Sequence, residues 1–361
     1  MREKITVMIL PVGLSCLLDC SYCYHGGKES FGCKSRIQII PDYILKKVVY
    51  DSVQLAKNID FLSHGGEPLL AGLPYFKKLV GFQERIDFNG IIRNIIQTNA
   101  VLLDKNKVQF FSKMGFILST SVDGSKRLHD ANRHFSNGGG SYNLVKLGVK
   151  LWRSVEEGKN LIGAVTLITS TNVDYPEEVF NGLKKCGVTS CALHFCSQNE
   201  SGSITNIPED FKTLDFLKKF FDLWFEKDDP KFPIRNFRNI LRVLCGGTTL
   251  DCASTVGGCS GFIAVDQGGD VYPCHRFVGN PDFKIGNILE KSLREIYEDG
   301  ADLYARISKL HESCSSCEFL NMCGGGCSYE KYVVCGDFGG VPPECKIKKE
   351  LFLYIRDKVS F

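Results

Sequence analysis

Short apolar runs alternate with amphipathic stretches through the first two-thirds of the chain. The runs Ile5–Leu10, Ile59–Ser63, Ile91–Thr98, Phe116–Val122, Leu161–Thr169 and Ser190–Phe195 have the length and composition of buried strands. Between them, Asp42–Leu55, Pro74–Arg85, Lys105–Lys113, Tyr142–Val155 and Pro176–Cys186 carry apolar residues at helical spacing. Strands alternating with helices predict a parallel sheet with helices on its outer face. Six such units are fewer than a closed barrel needs. The expected fold is therefore α/β, a partial (β/α)6 barrel, with function at the carboxyl ends of its strands.

The pattern changes after residue 200. Phe211–Phe225 reads as a bridging helix, its aromatics at core spacing. From Cys245 onward the chain turns to glycine, cysteine and short segments. Phe262–Asp266 and Asp270–Tyr272, joined through Gly268-Gly269, predict a hairpin. Ile288–Tyr297 and Asp302–Leu310 read as short helices and Lys346–Val359 as a closing one. The expected division is a barrel over 1–200, a helical bridge over 201–244, a small cysteine-rich domain over 245–345 and a C-terminal helix over 346–361.

Composition excludes several classes. The 361 residues carry a net charge of +3 and no long Lys/Arg run, so neither nucleic acid nor an acidic membrane surface is expected as a partner. No apolar run is long enough to span a membrane, and Pro11 interrupts the apolar start that would otherwise suggest a signal peptide. A reducing, cytoplasmic location is expected. Seventeen cysteines could signal a disulfide scaffold, but they are unevenly placed. Only Cys33 lies between Cys23 and Cys186, while ten fall from Cys245 to Cys345, several in close pairs as metal ligands do.

The chemistry begins at Cys16, Cys20 and Cys23, spaced CxxxCxxC just after the first strand. Three thiolates can hold three irons of a [4Fe–4S] cluster and leave the fourth open to a small molecule. His64-Gly65-Gly66-Glu67-Pro68 follows the second strand; its glycines permit close approach of a ligand, and Glu67 can hold a cationic amine. Gln97-Thr98-Asn99 closes the third strand, Ser119–Gly124 the fourth, and Arg133 follows. Singly each is weak, since GGE is a common turn and a loop arginine is usually solvated. In this order, behind the cysteine triplet, they are strong.

On these residues the chain resembles radical S-adenosylmethionine (SAM) enzymes. The resemblance implies that Cys16, Cys20 and Cys23 ligate a cluster whose open iron is chelated by SAM. It implies that Tyr22 packs near the adenine and that Gly65, Gly66 and Glu67 bind the amino group. Ser121 would contact the ribose and Arg133 the carboxylate, with Thr98 and Asn99 lining the same mouth. Cleavage of SAM would then yield a 5′-deoxyadenosyl radical that takes a hydrogen atom from the substrate.

The second half carries Cys252-x6-Cys259-x14-Cys274, then Cys314-x2-Cys317-x5-Cys323-x3-Cys327-x17-Cys345. Spacing alone leaves structural zinc open. The order is similar to that of SPASM domains, and over nearly the whole chain to anaerobic sulfatase-maturating enzymes. That likeness implies two auxiliary [4Fe–4S] clusters, three clusters in all. Cys252, Cys259, Cys274 and Cys327 would hold the first, and Cys314, Cys317, Cys323 and Cys345 the second. Cys33, Cys186, Cys191, Cys196, Cys245 and Cys335 are left as ordinary free cysteines.

One departure bears on function. Sulfatase maturases place an aspartate, the proposed base, directly after the third ligand of the first auxiliary cluster; here that position is His275. A histidine can serve as a base near neutral pH, or can simply stand beside the cluster. The segment Tyr272–Gly279 looks more like peptide-crosslinking maturases. No N-terminal peptide-recognition domain is expected before Cys16, so recognition would use the barrel rim, the bridge region 198–233 or a separate protein. The expected function is radical installation of a thioether or carbon–carbon crosslink in a ribosomally made peptide, with His275 as catalytic base. Formylglycine formation by a sulfatase maturase is the alternative, and a non-catalytic iron–sulfur electron carrier is the alternative of another class. A small donor such as flavodoxin or ferredoxin would supply electrons.

Overall fold

The computed structural model describes residues 2–25, 37–155, 160–227 and 231–359; Cys33 lies outside them. One nine-stranded sheet runs through the molecule in the order β6-β5-β4-β3-β2-β1-β7-β8-β9. The first six strands are β1 (Arg2–Ile9), β2 (Ala56–Ser63), β3 (Ile91–Thr98), β4 (Ile117–Ser121), β5 (Ile162–Ile168) and β6 (Ser190–Phe195). Each pairs in parallel with the next, as the alternating pattern predicts. In β1 both faces are covered, and Ile5, Val7 and Ile9 are fully buried beside Met8. That is why it reads as a continuous apolar run rather than an alternating one.

The crossovers carry α1 (Asp42–Ser52), α2 (Gly72–Gln83), α3 (Lys105–Lys113), a short α4 (Lys126–Asp130), α5 (Tyr142–Ser154) and α6 (Pro176–Cys186). Their starts are legible. Asp104 accepts from the Lys107 N–H at the head of α3, Ser125 caps α4, and Pro176 opens α6. Gly187, at φ +94°, ends α6 in the left-handed region. α7 (Asp210–Lys227) is the bridging helix, and α8 (Arg235–Leu244), a second helix within the bridge expected over 201–244, follows it. Asn236 of α8 exchanges two hydrogen bonds with the backbone of Leu193, covering the exposed edge of β6.

The predicted hairpin forms as β7 (Phe262–Val265) and β8 (Asp270–Tyr272), with Ala264 opposite Tyr272. It does not stand apart from the barrel. β7 lies parallel to β1, with Thr6 opposite Phe262, so the cysteine-rich region extends the sheet instead of forming a separate layer. A short β9 (Gly286–Asn287) completes the sheet. The helix expected from Ile288 begins later, as α9 (Leu293–Asp299), because Ser292 and Glu295 form a capping box there. α10 (Ala301–Ile307), α11 (Leu320–Cys323), α12 (Ser328–Cys335) and α13 (Cys345–Val359) follow. A second apolar cluster of Met8, Leu10, Tyr272, Phe277, Phe283, Tyr329 and Phe338 fills the space under this region. Among the described residues no helix is long and apolar enough to cross a membrane.

Candidate active site

β1 delivers the chain to the cysteine loop at the carboxyl end of the sheet. Cys16, Cys20 and Cys23 come within electrostatic reach of one another there, and burial pushes the thiols of Cys16 and Cys20 up to about 11 and about 12. The loop is held by the glycine pair that follows β2. The Gly66 N–H donates to the Gly13 carbonyl at 3.0 Å and the Glu67 N–H to the Ser15 carbonyl at 2.8 Å. A Cβ on Gly66 would sit 2.0 Å from the Ser15 oxygen. The sequence reading assigned these glycines to ligand approach. In the structure they first permit backbone to lie against backbone behind the cysteines.

Glu67 is fully buried. Its Oε1 accepts from the Thr98 hydroxyl at 2.6 Å and the Leu69 N–H at 2.9 Å, and its Oε2 from the Asn99 N–H at 2.8 Å. Burial raises this carboxyl to about 7, and the three donors work against that rise. Glu67 thus ties the end of β3 to the cysteine loop. Asn99 completes the link, its Nδ2 lying 3.8 Å from Cys16 Sγ. Ser121, at the end of β4, accepts from Gln97 Nε2 at 3.3 Å and is half-buried at the same mouth.

A carboxylate that was not singled out in the sequence joins two residues that were. Asp123 is fully buried. It accepts from the Tyr22 hydroxyl and, through both oxygens, from Arg133 Nε at 2.9 Å and Nη2 at 3.3 Å. The guanidinium carbon stands 5.1 Å from the Tyr22 ring centroid. Arg133 is held firmly charged by Asp123 despite its burial. The signal was present as Val122-Asp123-Gly124, but an Asp-Gly pair ordinarily marks a solvated turn.

The cysteines downstream separate into two groups. Cys274 interacts electrostatically with Cys252 and Cys259, and Cys327 with Cys252. Cys345 interacts with Cys314, Cys317 and Cys323, and these four line one cavity with Phe319, Lys348 and Phe352. Gly324, Gly325 and Gly326, at φ +65°, +82° and +78°, turn the chain from Cys323 to Cys327. All cysteines among the described residues are free thiols. Two separated sets of four thiols are a donor set suited to iron–sulfur clusters.

The two ends of the molecule meet at His275. Its ring lies 4.2 Å from that of His64, which precedes the glycine pair, and 5.7 Å from that of Tyr24, which follows Cys23. Its Nδ1 is 3.1 Å from Met8 Sδ and 3.5 Å from Cys274 Sγ. The Met8 thioether can only accept, which favours the proton on Nδ1. Burial lowers His64 to about 4, so it is neutral, and its Nδ1 accepts from the Gly65 N–H.

Comparison with known proteins agrees with this geometry. Residues 10–181 match the profile of the Radical SAM superfamily, and residues 252–318 that of SPASM, an iron-sulfur cluster-binding domain. The chain is similar to the cysteine-type anaerobic sulfatase-maturating enzyme of Clostridium perfringens, 29% identical over 332 residues, covering 90% of this chain and 88% of that one. It superposes on the structure of native anSMEcpe with bound AdoMet and Cp18Cys peptide with a TM-score of 0.85 at 26% identity, covering 99% and 98% of the two chains. Streptococcus suis SuiB bound to its precursor peptide SuiA shares the fold, with a TM-score of 0.64 at 17% identity over 91% of this chain and 72% of that one.

Proposed function

We infer that this chain, a radical SAM enzyme with a C-terminal SPASM domain, removes one hydrogen atom and then one electron and one proton from a side chain of a peptide or protein, a two-electron oxidation overall. In this reading Cys16, Cys20 and Cys23 hold a [4Fe–4S] cluster at the barrel mouth. Tyr22, Gly65, Gly66, Glu67, Thr98, Asn99, Ser121 and Arg133 surround SAM. Cys252, Cys259, Cys274 and Cys327 hold one auxiliary cluster, and Cys314, Cys317, Cys323 and Cys345 another. When bound, these groups supply a 5′-deoxyadenosyl radical at the mouth and an acceptor for the second electron. A small ferredoxin- or flavodoxin-like donor in the cytoplasm would supply the initiating electron.

The observation that carries the reading is the position of His275. Its ring is packed against His64 and Tyr24 on the radical side, while its own chain neighbour Cys274 belongs to the first auxiliary set. In this reading a substrate side chain brought against His275 would stand between the radical source and the electron acceptor, with His275 as its proton acceptor. Glu67 and Asp123 keep the mouth rigid from behind.

Two products follow from the same oxidation. A nucleophile of the peptide can capture the oxidised carbon, which gives a crosslink; His275, in place of the aspartate of sulfatase maturases, supports this one. If no nucleophile captures it, the oxidised carbon ends as formylglycine, directly as the aldehyde from Ser, or from Cys as a thioaldehyde that water hydrolyses with loss of hydrogen sulfide; the likeness over nine-tenths of the chain to a sulfatase-maturating enzyme supports that one. Anaerobic incubation with SAM, reductant and a sulfatase-motif peptide separates them. Formylglycine is trapped by an aldehyde reagent, whereas a crosslinked peptide loses two hydrogen atoms and resists trapping. If reconstituted protein forms no 5′-deoxyadenosine from SAM, the enzymatic reading fails. Three clusters require about twelve irons per chain.

A further inference from the structure

A buried ion pair beside the first cysteine set is not used by the scheme above. Arg276 Nη1 donates to Glu330 Oε1 at 2.9 Å and also points at Cys327 Sγ, 3.9 Å away. The guanidinium lies between two rings, 5.3 Å from the Tyr24 centroid and 5.4 Å from that of Tyr329. Only 18% of the Arg276 side chain and 10% of the Glu330 side chain are exposed. Both residues are placed by the cysteines themselves. Arg276 follows Cys274 by two positions, and Glu330 lies in the first turn of α12, which Cys327 opens. Beyond Glu330 the buried charges continue through Glu344 to Lys348, which pair at 2.7 Å, and Lys348 lines the cavity of the second set.

A buried ion pair is a poor device for stability alone, because desolvation of both charges offsets their attraction. Placed against a ligand sulfur it has another effect. Hydrogen bonds to cluster sulfurs and nearby net charge set the potential of an iron–sulfur centre. When the substrate radical loses one electron and one proton, the electron adds one negative charge to the acceptor. A guanidinium aimed at Cys327 stabilises that added charge, and a carboxylate opposes it.

We propose that Arg276 and Glu330 set, in opposite directions, the reduction potential of the cluster held by Cys252, Cys259, Cys274 and Cys327. Arg276 raises it so that this cluster accepts the electron left by the oxidised substrate, while Glu330 holds Arg276 in place and limits the rise. This rests on the reading of that cysteine set as a cluster site. Both are positioning residues that act through the Cys327 sulfur.

The test is a redox titration of the anaerobically reconstituted full chain, followed by electron paramagnetic resonance. The auxiliary signal is identified by its loss in Cys252→Ala. The ratio of reduced to oxidised cluster at a fixed potential should fall about tenfold in Arg276→Gln, which removes the charge from the hydrogen bond to Cys327. That is ~59 mV for one electron. In Glu330→Gln the ratio should rise, and Arg276→Lys should restore part of the wild-type value. If Arg276→Gln loads iron poorly, Glu330→Gln still decides by the sign of its shift. With normal iron content, unmoved potentials or shifts of the same sign overturn the proposal. Wild-type protein with only about four irons per chain would overturn the cluster assignment, and the proposal with it.

Discussion

The barrel mouth and the two downstream cysteine sets are assembled by opposite means. At the mouth the three cysteines sit on one short loop, and the work of the fold is to hold that loop. Gly65-Gly66 lie against its backbone, Glu67 ties it to β3, and Asp123 gathers Tyr22 and Arg133 behind it. Downstream, cysteines far apart in sequence are brought together by the glycine turn 324–326, an aromatic cluster around Phe277 and Tyr329, and helices that begin at cysteines. Local spacing therefore governs the proposed radical site, whereas tertiary packing governs the proposed electron acceptor. Failure at the first should stop the chemistry before it starts; failure at the second should let it start and misfire.

The largest expected effect tests that division directly. Cys20→Ala should abolish 5′-deoxyadenosine formation, while Cys252→Ala should retain it and lose oxidised peptide. Chromatography of both products from the same incubations checks this, and equal loss of 5′-deoxyadenosine in the two variants would break the comparison. Next in size is Asp123→Asn, which leaves the buried Arg133 guanidinium without its counter-charge. A loss of roughly 3–5 kcal/mol is expected in denaturant titration, with weakened SAM binding by calorimetry. The matching change outside the mouth, Asp215→Asn, removes the exposed Lys219 pairing on α7 and should leave the denaturation midpoint nearly unmoved.

Gly66→Ala comes third. Its new Cβ would meet the Ser15 carbonyl, and neither partner is a flexible side-chain end. A cost of roughly 1–3 kcal/mol is expected, with iron lost from the mouth and retained downstream, as the absorbance of reconstituted protein would register. An effect of similar size concerns pH. Burial lowers His129 from the usual 6.5 to about 4, and its ring bonds Ser141 and the Asp123 N–H behind the mouth. The unfolded chain takes up a proton below about 6.5 while the folded protein does not until about 4. Stability present at pH 7 should therefore be lost as pH falls through that window, by at most about 1.4 kcal/mol per pH unit from this group. Thermal melts from pH 7 to pH 4.5 should fall less steeply in His129→Gln than in the unsubstituted protein.

The local pattern of the chain already specified the six parallel strands, most of the helices between them, the cysteine loop and the order of motifs around it. These rest on local signals: apolar runs of strand length, caps such as Asp104 and Ser125, and ligands close enough in the chain to share one loop. It did not disclose that β7 joins β1 to continue the sheet, because a four-residue strand carries no mark of its partner. Nor did it single out Asp123, whose Asp-Gly context suggests an exposed turn, or α8, which covers the edge of β6. The placement of Arg276 between Tyr24 and Tyr329, with Glu330 as its partner, was equally out of reach. These came from packing, since burial and pairing across long stretches of chain turn a polar side chain from a solvated group into a fixed charge beside a cysteine sulfur.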